Sequence, residues 1–431
     1  MCACLSGPAR SGAVILATDF KNNPNEPDRR GDQMFKRILA FSVLLGGLSA
    51  CDQSGVFDPN DDDAVLVAKT DQAGSGALTV MTRNVYIGAR IENVLEAPAE
   101  LIPCAVYQEW QTVQANDFNE RAEILADEIV GATPHLVGLQ EMTLFRTQSP
   151  GDFFWPPAYQ QPATDVRMDF VQILLDALEA KGMHYVVAAQ IQNFDIEVPA
   201  TQGACDPYPP SDVFDDVRVT DFDVILARED VQISNPKSGN YAAVLAPVFE
   251  LPGGLPPLEI PLHRGWASID ATVKGVTYRF VDTHFEDDQI APIFQQLQAQ
   301  ELLTQVLTDL DTPTILVGDL NTAADGSTTP TYGQVIDAGF VDLWTIGRQR
   351  GDGFTCCTGS DLIDPQDDLD RRFDLVLYRD AVTAGGGSFR GSVHAEVVGD
   401  DRSVRTNSGL LPSDHAGTVV TLNRASGSGS L

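Results

Sequence analysis

The sequence is poor in basic residues. Its 431 residues include 28 Lys and Arg against 61 Asp and Glu, which gives a formal net charge of −33 at pH 7. A body with this charge repels long polyanions unless a local basic patch or divalent cations offset the field. The shortage of basic residues therefore argues against a dedicated nucleic-acid enzyme without excluding one, and adaptation to high salt would explain the same charge.

Metal-binding cysteine spacing is also absent. No Cys-x-x-Cys pair occurs among the seven cysteines, which argues against a structural zinc site. No internal repeat is evident, and 43% of the residues are hydrophobic. This composition supports one large globular domain with an ample core.

Long apolar runs are lacking too, and the run nearest the N-terminus has another explanation. Residues 38–48 are apolar but too short to span a bilayer. They follow the basic segment FKR at 35–37 and precede LSAC, which ends at Cys51. This order is that of a secretory signal peptide, and LSAC resembles the lipobox of bacterial lipoproteins, whose cysteine is lipidated. Ordinary secretion with cleavage nearby is the alternative.

This interpretation divides the chain. Residues 1–33 are expected to be an upstream extension ahead of a true start at Met34, and residues 34–50 the signal peptide. Residues 51–76, rich in Asp, Gly and Ser, are predicted to be a flexible tether. The folded domain is expected at 77–424, followed by a flexible tail at 425–431. We therefore expect an exported protein, lipid-anchored at the bacterial cell envelope through Cys51 or secreted.

Export makes disulfides the expected state of the remaining cysteines, Cys104, Cys205, Cys356 and Cys357. Adjacent cysteines are poorly placed to bridge to each other. We therefore expect Cys356 and Cys357 each to reach across to Cys104 or Cys205, or one pair to form and leave two thiols.

Hydrophobic periodicity predicts strands that alternate with helices. The predicted strands are 77–84, 135–140, 184–190, 222–227, 266–273, 276–283, 314–318, 373–378, 393–398 and 417–422. The predicted helices are 116–130, 167–180 and 292–310. Strands, hairpins and helices in this mixture indicate mixed sheets packed face to face with helices outside.

Three of the C-terminal strings combine apolar residues with polar ones. Residues 317–321 are VGDLN, residues 372–377 are RFDLVL, and residues 413–415 are SDH. A polar group set just beyond a buried strand is displayed at a sheet edge. Carboxylates and an Asn are hard oxygen ligands for Mg²⁺ or Mn²⁺, and an Asp with a His can share proton transfer on a phosphate ester.

The sequence upstream of these strings contains three similar apolar strings that end at polar residues. The apolar strings 78–85, 136–141 and 280–284 deliver Asn84, Glu141 and His284 respectively. Any one string alone is more often a turn or a capping residue than a site. Six strings in this order and spacing are not expected by chance.

Together, these strings resemble the endonuclease/exonuclease/phosphatase superfamily, which includes deoxyribonuclease I, apurinic endonucleases, bacterial sphingomyelinases and inositol polyphosphate 5-phosphatases. The resemblance spans roughly residues 75–424. It implies an α+β fold, a four-layer α/β/β/α sandwich of two mixed sheets flanked by helices.

The resemblance also implies roles for individual residues. Glu141, with Asn84 and Asp414, would hold Mg²⁺ or Mn²⁺. Asp319 would orient or deprotonate the attacking water, and Asn321 would hydrogen-bond the phosphoryl oxygens. The remaining catalytic residues would be His284, Asp374 and His415, with Asp374 orienting His415 against the phosphate.

The implied activity is metal-dependent phosphoester hydrolysis, with phosphodiesters preferred. The substrate class stays open between lipid head groups and nucleic acid, because no abasic-site or inositol-ring motif is evident and basic loops are sparse. The chain is expected to act as a monomer. A non-catalytic binding lipoprotein that keeps the fold is the alternative.

Other residues have weaker assignments. The aromatic residues of 142–165 either line a substrate rim or pack over the sandwich, and we favour packing. His263, Arg264 and Trp266 precede or begin a strand and could form part of the rim or be structural. Arg228 ends an apolar run and resembles the family's strand-terminal arginine.

Overall fold

The structure is a computed structural model. It describes residues 77–424 except 154–161, 203–213, 250–256, 348, 350, 366–367, 382–388 and 390. The predicted upstream extension, signal peptide, lipidated Cys51, tether and tail all lie outside the described residues. Within the described part, no helix combines the length and apolarity needed to cross a membrane.

Sixteen strands and seven α-helices form the described body. The strands are β1 (Ala77–Asn84), β2 (Leu136–Gln140), β3 (Leu144–Gln148), β4 (Asp165–Asp169), β5 (Tyr185–Thr201), β6 (Phe214–Arg228), β7 (Gln232–Asn240), β8 (Val248–Phe249), β9 (Leu258–Glu259), β10 (Gly265–Val273), β11 (Val276–Thr283), β12 (Thr314–Asp319), β13 (Val341–Asp342), β14 (Asp374–Arg379), β15 (Gly391–Val398) and β16 (Gly417–Arg424). The helices are α1 (Ile91–Leu95), α2 (Ile102–Ala115), α3 (Phe118–Ala132), α4 (Phe170–Ala180), α5 (Pro292–Glu301), α6 (Thr331–Asp337) and α7 (Leu343–Ile346), with a 3₁₀ turn at Ala99–Leu101 and a π turn at Leu302–Val306.

The strands form two large mixed sheets. The first has the order β15-β16-β1-β2-β6-β3-β4, and β5 pairs with β6. The second has the order β13-β14-β12-β11-β10-β7, and β8 and β9 form a separate small hairpin. Parallel pairs, β1 with β2 and β11 with β12, lie at the centre of each sheet, whereas their outer neighbours β16 and β14 run antiparallel to them.

Alternation along the central strands separates three apolar layers. In β12, Ile315 and Val317 belong to the core between the sheets, whereas Leu316 belongs to the core beneath α5. In β1, Val80 faces the inter-sheet core and Met81 faces the helices of the first sheet. Because successive side chains of a strand point to opposite faces, the alternation predicts helices on both outer faces. The four-layer α/β/β/α sandwich is thereby confirmed.

Helix α3 shows how the sequence determines an outer helical layer of the sandwich. Asp117 caps the helix by accepting a hydrogen bond from the Asn119 amide, and the chain leaves the helix at Thr133 in a left-handed conformation. Phe118, Ala122, Leu125, Ala126 and Ile129 form its buried face, at the spacing of three and four residues that a half-buried helix requires.

Most predicted strands are present within one or two residues of the observed bounds, although β5 and β6 run longer than predicted. Ten of the described strands and α-helices were not predicted: α1, α2, α6, α7, β3, β4, β7, β8, β9 and β13. The segment 142–165, expected to be a loop, contains β3. Phe145 and Phe153 of that segment are buried, as the packing interpretation expected. Its other aromatic residues lie outside the described part of the chain.

Candidate active site

The polar residues of the first sheet meet at one edge because β1 and β2 are parallel neighbours. Asn84, the last residue of β1, pairs in register with Gln140, the last residue of β2. Glu141 follows at once, with a left-handed φ of 62°. This conformation is uncommon for a non-glycine residue, and it redirects the chain from β2 into β3. Glu141 is thus held beside Asn84 at the carboxyl edge of the two strands.

The second sheet presents its polar residues at a matching edge. Asp319, the last residue of β12, pairs in register with Asp374, the first residue of the antiparallel β14. His284 follows β11, the parallel neighbour of β12 on the other side. A strand end and an antiparallel strand start therefore place two carboxylates side by side.

Antiparallel pairing of β16 with β1 brings in the C-terminal string. Thr418, near the start of β16, pairs with Thr82, near the end of β1. Asp414 and His415 immediately precede β16, so they reach the same edge. His415 then crosses between the sheets, with its Nδ1 2.9 Å from Asp374 Oδ2.

Asn84 joins the two halves of the site. Its Nδ2 donates to Glu141 Oε1 at 2.9 Å and to Asp319 Oδ2 at 3.1 Å. Its Oδ1 accepts from the Tyr86 amide at 2.9 Å, and Glu141 Oε2 accepts from the Ile87 amide at 2.6 Å. In this arrangement Asn84 orients both carboxylates. Its Oδ1, which was predicted to be a metal ligand, is directed to the Tyr86 amide.

The two histidines are held in opposite states. Burial would lower the pKa of His415, but Asp374 and Asp319 outweigh it and raise the pKa to about 10. Burial, Arg264 and His415 lower the pKa of His284 well below its usual value. A cationic and a neutral imidazole therefore flank Asp319, whose Oδ2 lies 3.8 Å from His415 Nε2 and 3.6 Å from His284 Nε2.

Arg264 and Asn321 hold His284 in place. Arg264 Nη1 lies 3.0 Å from His284 Nδ1, and Asn321 Nδ2 lies 3.1 Å from His284 Nε2. The Asn321 amide also donates to Asp319 Oδ1 at 2.9 Å. Because a guanidinium can only donate, Nδ1 of the neutral His284 ring accepts from Arg264 and the ring hydrogen is carried at Nε2.

The carboxylates of the site suit a divalent cation. Burial raises the pKa of Asp319 to about 7 and that of Asp414 to about 6, and the charge of Glu141 acts on Asp414 in the same direction. Negative groups crowded into a buried edge favour a bound cation, and every acidic donor here is a hard oxygen ligand. The residues present therefore fit a divalent cation.

The expectation that the cysteines form disulfides is confirmed for Cys104, Cys356 and Cys357, but the expected pairing is wrong. Cys356 and Cys357 bridge to each other rather than to Cys104 or Cys205. Cys357 Sγ lies 3.4 Å from His415 Nε2, so the bridge is a wall of the site. Cys356 forms a β-bridge with Arg371, and this pairing fixes the backbone next to Cys357 locally.

Two buried arginines of the site were missed. Arg83 Nη1 donates to the Asn84 carbonyl, at 3.2 Å, and to the His415 carbonyl. Arg121 donates to the carbonyls of Val85 and Pro412 at 2.6 and 3.0 Å. Each arginine ties the strand that carries Asn84 to the segment that carries His415. An arginine inside an apolar strand, or on the apolar face of α3, was the available signal.

Two acidic residues on β6 were also missed. Asp223 is fully buried, and its Oδ1 lies 3.9 Å from His284 Nδ1. Asp221 Oδ2 accepts a hydrogen bond from Asn193 Nδ2 at 3.0 Å. Burial raises the pKa of Asp221 to about 7 and that of Asp223 well above its usual value. The alternation of Asp221 and Asp223 across Phe222 in a predicted strand could have identified them.

The weaker assignments separate. Arg264 lies at the site, whereas Trp266 belongs to β10 and packs against the outer core of the second sheet. The resemblance of Arg228 to the family's strand-terminal arginine is wrong, because Arg228 lies at the end of the sheet opposite Glu141. Ala227 pairs with Leu136, the first residue of β2. The Arg228 guanidinium bonds Asp230 and the Thr133 carbonyl instead.

The chain matches no protein-family model and no curated protein sequence. Among solved structures it is similar to an endonuclease/exonuclease/phosphatase family protein from Leptotrichia buccalis, with 16% identity and a TM-score of 0.45 over 80% of this chain and 99% of that one. It is similar to a Bacteroides thetaiotaomicron mannosyl-6-phosphatase, with 16% identity and a TM-score of 0.46 over 80% and 99%. It is also similar to humanized D. rerio TDP2, with 18% identity and a TM-score of 0.43 over 81% and 100%. Likenesses of this degree carry no inference about substrate or activity.

Proposed function

We propose that the protein is a divalent-metal-dependent phosphoester hydrolase that prefers phosphodiesters. The observation that supports this most is the convergence of Glu141, Asp319 and His415 on one edge of the sandwich, linked through Asn84 and Asp374. Metal-assisted hydrolysis needs a pair of carboxylates that holds a cation, a carboxylate that activates water and an imidazole that binds the phosphate.

The cation would be Mg²⁺ or Mn²⁺, held by Glu141 and Asp414. When bound, it supplies positive charge that neutralises the charge developing on the phosphoryl oxygens. The chain contributes by fixing these carboxylates. Glu141 is held at both oxygens, by Asn84 Nδ2 and by the Ile87 amide, so its position is set before a ligand arrives.

Asp319 is the group that receives the proton of the attacking water. Its Oδ1 is held by the Asn321 amide at 2.9 Å, and its Oδ2 by Asn84 Nδ2 at 3.1 Å. Water adds to phosphorus as the ester P–O bond breaks, and the proton passes from that water to Asp319. The leaving oxygen departs with the electron pair of the broken bond and takes a proton from solvent. Fixed hydrogen bonds on both oxygens orient the carboxylate towards the substrate side of the edge.

Three side chains would bind the phosphate around this centre. His415, held at Nδ1 by Asp374, directs its Nε2 to the site. Asn321 and His284 contact each other, and His284 Nε2 lies 3.6 Å from Asp319 Oδ2. These donors would distribute the negative charge of the transition state over fixed dipoles and one imidazolium.

A diester outside the cytoplasm is the proposed substrate, either a lipid head group or nucleic acid. The net charge of −33 disfavours long polyanions away from a cation, which makes the lipid diester the first to test. A panel of sphingomyelin, plasmid DNA, RNA and inositol phosphates, each with Mg²⁺ or Mn²⁺, separates these substrate classes.

The proposal is tested with bis(p-nitrophenyl) phosphate and the purified protein. Hydrolysis with Mg²⁺ or Mn²⁺ is expected, and EDTA should abolish it. Asp319→Ala and Glu141→Gln should each lower kcat by about 10²-fold or more. Asp325→Asn, an exposed carboxylate near the same strand end, is the control and should keep full activity.

Absence of wild-type hydrolysis across metals and ester types would overturn the enzyme proposal. A non-catalytic binding lipoprotein with the same fold would then be the better account. The location is tested separately by expressing the chain with its N-terminal segment in bacteria supplied with radiolabelled palmitate. We propose that the label is incorporated and that Cys51→Ala removes it.

A further inference from the structure

A second acidic cluster lies away from the candidate active site. Asp152, Glu197 and Asp216 each offer one carboxylate oxygen, and the three oxygens lie within 4.8 Å of one another. Glu197 lies in β5, Asp216 lies in β6, and Asp152 follows β3. Gln148, at the end of β3 farthest from Glu141, pairs in register with Asp216, so the cluster lies at the far end of that strand.

Each buried carboxylate of the cluster is held by backbone amides through one oxygen only. Asp216 Oδ2 accepts from the amides of Asp152 and Phe153 at 2.5 and 3.0 Å. Glu197 Oε2 accepts from the Ala163 amide at 2.9 Å. These bonds fasten the segments on either side of residues 154–161 to the β5–β6 pair, and they fix how the carboxylates point.

The second oxygen of each carboxylate has no hydrogen-bond partner. Asp216 Oδ1 and Glu197 Oε1 are both buried and unpartnered, and the two residues are only 0% and 5% exposed. A buried polar atom without a partner destabilises the fold, and more so when it carries charge. Two such oxygens, in one cluster with a third carboxylate, call for a ligand that is positive and binds oxygen.

Among the described residues, the basic side chain whose charge acts on Glu197 is that of Arg218. Arg218 pairs with Asp195, with its Nε 2.8 Å from Asp195 Oδ1. The folded chain without a ligand therefore leaves Glu197 and Asp216 in an environment that disfavours their charge.

Gly151 packs directly against Asp216. A Cβ at this position would lie 2.5 Å from Asp216 Oδ1 and 2.8 Å from the Asp216 backbone nitrogen. Only glycine lets the chain after β3 approach β6 this closely, and this approach places the Asp152 amide against Asp216 Oδ2.

We propose that Asp152, Glu197 and Asp216 form a structural Ca²⁺ site. All three ligands are carboxylate oxygens, which excludes the nitrogen or sulfur ligands that zinc prefers. Ca²⁺ accepts six to eight oxygens in irregular geometry, so water can complete the shell at the exposed Asp152. The ion would cross-link β5, β6 and the segment after β3, and its role would be stability rather than hydrolysis.

The experiment measures Ca²⁺ binding by calorimetry and Ca²⁺-dependent melting of the full chain. Glu141→Gln is used as the background because it disables the candidate active site as a competing cation site. In that background we expect one remaining Ca²⁺ site and a rise in Tm with Ca²⁺. Adding Asp152→Asn should weaken the binding at least tenfold, whereas the matched change Asp165→Asn, at an exposed carboxylate of β4, should leave it unchanged.

Glu197→Gln gives a signature that loss of folding cannot mimic. Because it removes a buried charge, it should raise Tm in EDTA while abolishing the further rise with Ca²⁺. Hydrolysis by Asp152→Asn should stay at the wild-type level. Ca²⁺ binding that disappears entirely with Glu141→Gln, or that survives both Asp152→Asn and Glu197→Gln, would overturn the proposal.

Discussion

Asp374 Oδ2 lies 2.9 Å from His415 Nδ1, although the two residues are 41 positions apart in the chain. The contact crosses from the second sheet to the segment that enters the first. It directs the Nδ1–H of the His415 imidazolium to Asp374 and leaves the Nε2–H facing the site. Two strings that carry little information alone thus form one functional pair.

Asp374→Asn should lower kcat by about 10²- to 10⁴-fold, because it removes the negative charge that stabilises the His415 imidazolium and can present a donor to Nδ1. The matched control is Asp380→Asn, just beyond the other end of β14, whose carboxylate bonds Tyr378 and Arg424. That variant should keep its activity. Kinetics on bis(p-nitrophenyl) phosphate and a melting curve for each variant make the measurement. Equal activity losses in both variants would contradict a specific role for Asp374.

Gly318→Ala should destabilise the fold by about 3 kcal/mol or more. Gly318 has a φ of 142°, and a Cβ there would overlap the Thr283 carbonyl oxygen in the neighbouring strand. Gly326→Ala is the control, since Gly326 has a φ of 74° with nothing near its missing Cβ. The control should cost about 1 kcal/mol, from backbone strain alone. Urea unfolding measures both values, and equal costs would show that the close approach of β11 is unimportant.

Alkylation after reduction should inactivate the protein. Reduction converts the Cys356–Cys357 bridge to two thiols, and the half-buried Cys357 can then react with iodoacetamide, releasing iodide. The added group would occupy the space beside His415 Nε2, which lies 3.4 Å from Cys357 Sγ. Activity should fall at least tenfold after both steps but not after iodoacetamide alone. Cys357→Ala should resist the same treatment; inactivation of that variant would point to another cysteine.

His135 should make stability depend on pH. Burial and the nearby Arg228 lower its pKa to about 4, and its Nδ1 accepts from the Thr79 amide at 3.1 Å. The neutral folded ring contributes its full stability above the unfolded pKa of about 6.5, and that contribution is lost as the pH falls towards 4. The ring is partly exposed, so solvent screening limits the loss to about 1 kcal/mol.

His135→Asn keeps an acceptor for the Thr79 amide and removes the titration. The difference in unfolding free energy between wild type and variant, measured by urea unfolding, should shift in favour of the variant by about 1 kcal/mol between pH 7 and pH 4.5. Using the difference cancels the titration of acidic groups shared by both proteins. A constant difference across that range would contradict the assignment.

Elements with strong local patterns were predictable. β1 and β11 were predicted at their observed bounds because apolar residues alternate or run continuously there and end at a polar residue. β7 was missed for a physical reason. β7 is largely exposed, with the sequence QISNPKSGN, and owes its strand to pairing with β10 rather than to its own composition. Tertiary pairing overrode a weak local propensity.

The sequence by itself determined which residues could form a site, since Glu141, Asp319 and His415 each follow or precede a recognisable apolar run. Only the tertiary structure decided how they meet. Register between β12 and β14, the crossing of His415 to Asp374, the bridge of Cys356 to Cys357 and the burial of Glu197 with Asp216 all depend on contacts between distant segments. Such contacts are set by how two sheets and their helices pack together, and no local pattern in the chain encodes them.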